Sequence, residues 1–157
     1  MDAFDANLLN LIQQNNRLTT EQMSEAIGLS PTACQRRLKK FRENGTIAAD
    51  ISVISPESVG RRMTMIVQVS LEREQPEHLD KFKESMLATQ EVMQCYYVTG
   101  SSDFILILTA KDMQDYDNFT RRFFFDNPNI QHFNTSVVMD HVKVGLSIPI
   151  EADKDSK

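Results

Sequence analysis

A basic segment with a distinctive start constrains the fold of this chain more than any other stretch. Ser30 can accept a backbone hydrogen bond as an N-cap, and Pro31 at the first helical position sacrifices no intrahelical bond. The apolar positions that follow share one helical face: Cys34, Leu38 and Phe41. Gly28 supplies a tight turn before this start. We therefore predict two short helices joined at the glycine, the second spanning residues 31–43.

The other face of the second helix is basic. It carries Arg36, Arg37, Lys39, Lys40 and Arg42, with Glu43 as its only acid. A basic helical face is often only a solvated surface. Together with the preceding turn and helix start, however, it favours a helix-turn-helix whose second helix enters the DNA major groove. Cys34 lies on the apolar stripe, which indicates a buried thiol rather than a nucleophile.

The predicted DNA-binding residues lie at the helix start or on its polar side. They are Ser30, Pro31, Thr32, Gln35, Arg36, Arg37, Lys39 and Lys40. Thr32, Gln35 and Arg36 are our candidates for contact with base edges. Arg37, Lys39 and Lys40 are expected to hold phosphates or to pair with local acids, and phosphate contacts set affinity rather than sequence preference. We expect double-stranded DNA as the partner.

The distribution of charge supports this division of labour. The net charge of the 157 residues is −5, which is unusual for a protein that binds a polyanion. Residues 1–62 hold eight Lys and Arg against seven Asp and Glu, whereas residues 63–157 hold nine against fifteen. The acidity therefore belongs to the second half, and local potential rather than the total governs phosphate contact.

Composition narrows the remaining classes. No apolar run approaches the roughly 18 residues of a membrane span, and the acidic start is unlike a secretion signal. Cys34 and Cys95 lie too far apart in sequence to indicate a disulfide framework or a metal site. We expect a cytoplasmic protein with no membrane partner, no metal and no cofactor.

The pattern after residue 62 alternates strands and helices. Strands are predicted at 63–71, 92–98, 104–108 and 130–144, with helices at about 76–89 and 113–126. Met113, Tyr116, Phe119, Phe123 and Phe124 are expected on the buried side of the second of these helices. The order βαββαβ is the ferredoxin-like arrangement, in which two helices cover one face of an antiparallel sheet. The other sheet face should be partly apolar and covered by a second copy, giving a homodimer.

The predicted fold class is α+β. A (winged) helix-turn-helix domain occupies residues 1–50, with Asp5 as the expected N-cap of its first helix. A linker follows at 51–62, and a short strand is expected over 47–54. A ferredoxin-like sandwich domain for effector binding and oligomerisation spans 63–150, and a disordered tail spans 151–157.

Several segments, taken together, resemble the Lrp/AsnC family of feast/famine transcriptional regulators. They are GLSPTACQRR at 28–37, Gly45-Thr46-Ile47, VTGSSDF at 98–104, Lys111-Asp112-Met113 and TSVVM at 135–139. The resemblance covers nearly the whole chain. It implies a second domain that binds a small effector, usually an amino acid, where homodimers meet in tetramers or a ring-like octamer.

The resemblance also implies the effector residues. Carried over by position, the turn would face the polar end of the effector, and the last strand would line the pocket. The turn residues are Gly100, Ser101, Ser102 and Asp103, and the strand residues are Thr135, Ser136, Val137 and Val138. Backbone N–H groups of such a turn suit a carboxylate, and Asp103 suits an ammonium group. The alternative is a plain hairpin turn in which Asp103 bonds its own backbone.

The expected function is a sequence-specific transcriptional regulator whose assembly or DNA binding responds to a small effector. Two alternatives stay open: an effector-independent DNA-bridging protein of the same family, and an enzyme similar to the siroheme decarboxylases. The enzyme is disfavoured because His78, His132 and His141 are scattered and form no nucleophile–base or metal spacing.

Overall fold

The computed structural model describes residues 1–72 and 75–153. The chain divides into two compact units. The first unit combines Met1–Val53 with residues 143–153, and the second is Ile54–Val142. The sequence placed residues 143–150 in the second domain. In the structure they group with the first unit.

The first unit is built on three helices: α1 (Ala3–Ile12), α2 (Thr20–Ile27) and α3 (Pro31–Glu43). Ser30 caps α3 as predicted, since its hydroxyl accepts a hydrogen bond from Ala33 N at 3.2 Å. Gly28 ends α2 with a φ of 74°, a left-handed conformation that glycine adopts without steric cost. The prediction for α1 was wrong in one detail: Asp2 is the N-cap, and Asp5 completes a capping box from the third helical position.

Apolar residues from all three helices form the core of the first unit. They are Leu8, Leu9, Ile12, Met23, Cys34, Leu38 and Phe41. The strand predicted over residues 47–54 is not formed. Ile47 N donates instead to Phe41 O at 2.9 Å, which closes the end of α3. Within the described chain, residues 48–54 belong to neither a helix nor a strand.

Polar side chains of α1 hold the carboxyl-terminal segment. Asn10 Nδ2 donates to Ile150 O at 2.9 Å, and Gln13 Nε2 donates to Ile148 O at 2.8 Å. These bonds, together with packing of Ile150 on the core, explain why the segment belongs to the first unit. Asp153 N also donates to Met1 O at 3.1 Å, so the start of the predicted disordered tail is hydrogen-bonded. The rest of that predicted tail, 154–157, lies outside the described residues.

The second unit has the predicted βαββαβ order. Its elements are β1 (Met63–Leu71), α4 (Pro76–Leu87), β2 (Val92–Tyr97), β3 (Phe104–Ala110), α5 (Met113–Thr120) and β4 (Ile130–Val137). A π-turn (Arg121–Phe125) extends α5. The sheet order is β2-β3-β1-β4, and every neighbouring pair is antiparallel. A short 3₁₀ helix, Glu57–Val59, precedes β1.

Alternation along the central strands builds the core of this unit. Met65, Val67 and Val69 of β1 and Phe104, Leu106 and Leu108 of β3 are fully buried beneath the helices. Two predictions were wrong. Met113 is 54% exposed. The last strand, predicted to reach residue 144, ends at Val137. Its neighbour β1 begins at Met63, and the last backbone bond between them runs from Val138 N to Thr64 O.

Candidate DNA-binding and effector-binding sites

The exposed face of α3 is the candidate DNA-binding surface. Thr32 is exposed. So are Gln35, Arg36 and Lys39, which follow it by three, four and seven residues. This spacing puts them on one side of the helix, opposite the buried Cys34, Leu38 and Phe41. Pro31 and Lys40 are also exposed. The helix therefore presents hydrogen-bonding groups near its start and cations along its length.

Two of the predicted DNA-binding residues are engaged within the protein. The hydroxyl of Ser30 serves as the cap of α3. The guanidinium of Arg37 lies 2.7 Å from Asp2 Oδ2 and also bonds the Asp5 carboxylate. These hydrogen bonds raise the pKa of Arg37, and the bond to Asp2 has the larger effect. Arg37 thus takes the second of its predicted roles, pairing with local acids, and ties α3 to the start of α1.

Ion pairing differs among the other basic side chains. Arg42 Nε lies 2.9 Å from Asp50 Oδ2, and the hydrogen bond from Arg42 lowers the pKa of Asp50. Lys39 Nζ lies 3.7 Å from Glu43 Oε1, a distant pair between exposed groups that costs little to break. Among the described cations of α3, Arg36, Lys39 and Lys40 are therefore the most available for contact with DNA.

The β2–β3 turn is held by Asp103. Its carboxylate accepts a hydrogen bond from Leu71 N at 2.7 Å, and Asp103 N donates to Val69 O at 3.0 Å. Asp103 O accepts from Val98 N at 2.9 Å, which closes the turn containing Gly100, Ser101 and Ser102. The Asp103 side chain therefore anchors the turn to the end of β1, a contact that neither reading of the sequence anticipated.

The β4 residues predicted to line one pocket lie on two faces. Thr135 pairs with Val67 on the helix-covered face, and its hydroxyl is hydrogen-bonded to the Tyr116 hydroxyl of α5. Val137 pairs with Met65 and shares that face. Ser136 pairs with Ile66 on the uncovered face, and it is exposed. The two-residue repeat of a strand already implied this separation.

Tyr116 is a site residue that the sequence reading treated only as core. It is buried, and burial raises the pKa of its phenol. Its helical spacing predicted burial correctly, but the contact with Thr135 depends on the packing of α5 against the sheet. This part-buried pair of hydroxyls places a polar group beside β4.

The two halves of the predicted effector site lie apart in a single chain. The turn residue Asp103 is bonded to the Leu71 end of β1, whereas Thr135 and Val137 pair with Val67 and Met65. Asp103 N is also bonded to Val69 O, so the offset along β1 is two to six residues, or roughly 7–20 Å, and β3 and β4 lie on opposite sides of β1. The structure does not bring the turn and the strand residues together within one chain.

The sheet face without helices is partly apolar, as predicted. Ile66 is 38% and Tyr96 is 49% exposed, and Ile105 and Ile107 are half-buried on the same face. Exposed apolar side chains also occur in the first unit at Val144, Leu146 and Ile148. Apolar surface of this kind is typical of a protein interface.

Comparison with known proteins agrees with this architecture. Residues 1–48 match the model for a winged helix-turn-helix DNA-binding domain, and residues 64–148 match the Lrp/AsnC ligand-binding domain. The chain belongs to the Lrp/AsnC family of transcriptional regulators. The predicted fold class is confirmed by the same matches.

Individual relatives extend over nearly the whole chain. An uncharacterized HTH-type transcriptional regulator of Sinorhizobium fredii is 58% identical over 96% of this chain and 89% of its own. The leucine-responsive regulatory protein of Haemophilus influenzae is 30% identical, covering 91% of this chain and 86% of its own. A Neisseria meningitidis transcriptional regulator solved with L-methionine has a TM-score of 0.90 and 30% identity, covering 95% and 96% of the two chains.

In the described parts of the chain, His, Cys, Asp and Glu side chains do not gather in groups of three or more that could hold a metal ion. None of the described helices is both long and apolar enough to cross a membrane. The relatives above are named as transcriptional regulators, which points away from the enzyme alternative.

Proposed function

We propose that this regulator reads specific DNA sites with α3 and that an amino acid controls its assembly or its DNA binding. The observation that carries the proposal is the exposed face of α3. It presents Thr32, Gln35 and Arg36 near the start of a capped helix, and Lys39 and Lys40 farther along. Polar groups near the start of a recognition helix suit base edges, and flanking cations suit phosphates.

The separation within the second unit supports an effector site shared between copies. The Gly100–Asp103 turn carries backbone donors and a carboxylate, whereas β4 offers the Thr135–Tyr116 hydroxyl pair. An α-amino acid needs partners for both its carboxylate and its ammonium group. A turn from one chain placed beside β4 of another supplies both. The methionine complex of the Neisseria relative and the name of the Haemophilus relative support an amino acid as the ligand class.

The uncovered sheet face supports a homodimer as the building block. Two copies of this face can bury Ile66, Ile105, Ile107 and Tyr96 against each other, which removes apolar surface from water. A dimer also presents two α3 helices to successive half-sites on DNA. Association of dimers into tetramers or octamers then brings a turn of one dimer to β4 of another.

The first test addresses α3. Arg36→Ala is expected to weaken operator binding by about 1–3 kcal/mol and to relax preference at one base position. Arg121→Ala is the matched control, because Arg121 is exposed and lies in the other unit. The measurement is a fluorescence titration of operator and scrambled DNA at fixed salt. Equal affinity and specificity in wild type and Arg36→Ala would remove Arg36 from the recognition surface.

The second test addresses the effector. Thermal unfolding with each of the twenty amino acids should reveal a ligand, because binding only to the folded state raises the Tm by mass action. Asp103→Asn is the informative variant. Its amide oxygen can still accept the hydrogen bond from Leu71 N, but it lacks the negative charge for an ammonium group. We expect a stable protein with a reduced Tm shift, while the exposed control Asp126→Asn keeps the full shift.

A flat response to all twenty amino acids would contradict the effector proposal. It would favour the effector-independent DNA-bridging alternative and leave the α3 proposal in place. An equal shift in wild type and Asp103→Asn would retain an amino-acid effector but exclude the Asp103 carboxylate from its ammonium site.

The third test addresses assembly. Ile66→Lys places a charge on the uncovered sheet face, where dimerisation would have to bury it, so we expect dissociation to monomers. Leu87→Lys is the control, because Leu87 is 87% exposed on α4. Sedimentation velocity measures the mass in solution. An Ile66→Lys protein with the wild-type mass would exclude this face as the interface.

A further inference from the structure

A groove in the second unit lies between α4 and the π-turn that follows α5. Its volume is about 230 Å³. This is room for on the order of seven or eight water molecules, since each occupies roughly 30 Å³ in the liquid. The floor is apolar, and it includes Leu71, Phe82 and Phe123. The groove can therefore take a small organic molecule with a short apolar part.

The rim of the groove is rich in hydrogen-bond donors. His78, Lys81 and Ser85 come from α4, and Asn127 and Asn129 come from the loop after the π-turn. Among the described residues that line the groove, none is an Asp or a Glu. A ligand carboxylate would thus meet an ammonium group, an imidazole and amide groups. Among these described lining residues, a ligand ammonium group would meet no opposite charge.

One buried atom in this rim has no hydrogen-bond partner among the described residues. It is His78 Nδ1, which is shielded from solvent. Buried polar atoms are nearly always hydrogen-bonded, so this nitrogen is a candidate partner for a polar atom of a ligand. In its protonated state, Nδ1 can donate to a carboxylate oxygen.

The π-turn is a second, independent indication. Single π-turns are rare in proteins and occur frequently at functional sites. Here the turn comprises Arg121–Phe125, and it places Phe123 in the wall of the groove. Phe123 also packs on Phe119, with ring centroids 4.9 Å apart. The irregular turn and the groove therefore share a residue that links the site to the core.

We propose that this groove is a second ligand site, which binds a small carboxylate that carries a short apolar chain and no ammonium group. A 2-oxo acid has this chemistry. Its carboxylate lies against Lys81 and His78, and its apolar chain lies on Phe82 and Phe123. The proposal is independent of the amino-acid effector, which uses the Asp103 turn and β4.

The groove can also influence that turn. The side chain of Leu71 lines the groove, and the backbone N–H of Leu71 donates to the Asp103 carboxylate at 2.7 Å. A ligand packed on Leu71 thus contacts the residue that holds the turn.

The test compares two probes with one carbon skeleton, 3-methyl-2-oxobutanoate and valine. Isothermal titration of the full chain measures Kd, and methyl NMR signals of Met86 and Leu71 report the location, since both residues line the groove. We expect saturable binding of the oxo acid with shifts at both residues. Valine should shift the Met86 methyl signal only at concentrations at least about tenfold higher, because its ammonium group finds no carboxylate among the described lining residues.

Variants of α4 complete the design. Lys81→Gln should weaken oxo-acid binding by about tenfold, in keeping with the loss of one charge-assisted hydrogen bond. Lys83→Gln is the matched control, since its ammonium lies 5.3 Å from the centroid of the Tyr97 ring and Lys83 does not line the groove. Ser85→Leu, which fills the groove with an apolar side chain, should abolish binding and leave the fold intact.

Four outcomes would overturn the proposal. They are the absence of saturable binding, methyl shifts confined to residues outside the groove, equal losses in Lys81→Gln and Lys83→Gln, and valine shifting the Met86 signal at the same concentrations as the oxo acid. The last outcome would reject the ligand class assigned to the groove, and the other three would reject the site itself.

Discussion

The proposed DNA-binding surface and the proposed effector site differ in how much of each a single chain contains. The exposed face of α3 is complete, because its members repeat at helical spacing on one element. The effector residues come from a turn at one end of β1 and from β4 residues paired farther along it. A helix face is a local property of sequence, whereas a site on a sheet depends on register and on neighbouring copies. The first kind of site can be read residue by residue, and the second cannot.

The largest expected effect tests whether the two units are stabilised separately. Phe104→Ala removes a fully buried ring from the second unit and should cost about 3–5 kcal/mol of its unfolding free energy. Phe125→Ala, a 66% exposed ring, should cost less than about 0.5 kcal/mol. Urea unfolding followed by hydrogen exchange reports each unit. Equal loss of protection in α1–α3 and in the sheet would show that the units unfold together.

A smaller effect separates structural from DNA-contacting cations. Arg37→Ala should lower the stability of the first unit by about 1–2 kcal/mol, because it leaves Asp2 and Asp5 without their shared partner. The salt dependence of DNA binding by the Arg37→Ala variant should match that of the wild type. Lys39→Ala should reverse this pattern, with unchanged stability and a slope of log K against log salt reduced by about 0.9. A reduced slope for Arg37→Ala would assign Arg37 to phosphate contact after all.

The smallest expected effect concerns the loss of stability of the first unit at low pH. Hydrogen bonds from the Asp5 backbone and from Arg37 lower the pKa of Asp2 below its ordinary value of 3.8. A lowered folded-state pKa stabilises the protein above the unfolded pKa, and this stabilisation is lost as the pH falls through the folded-state pKa. Asp2→Asn should therefore flatten the decline in stability of the first unit below about pH 4. Parallel pH profiles in the two proteins would exclude Asp2 as a source of that decline.

Several features that depend on neighbouring residues were predicted correctly from the sequence, and several features that depend on distant ones were not. The start of α3 at Ser30-Pro31, the glycine turn and the strand of β1 were correct, because each is encoded by neighbouring residues. The role of Asp103 was missed because Leu71 N, its partner, is 32 residues away. The end of β4 was placed too late because a strand ends where its partner does, and β1 begins only at Met63.

The two cysteines lie one in each unit, which gives the protein a native pair of reporters. Cys34 lies on the buried face of α3 with no exposed surface, and Cys95 is half-buried in β2, where burial raises the pKa of its thiol. A thiol reagent can reach Cys34 only when the helical core opens, so its labelling rate reports that opening. Operator DNA that binds the first unit should slow the labelling of Cys34 and leave the labelling rate of Cys95 unchanged. The unmodified protein would then report which unit DNA binding stabilises.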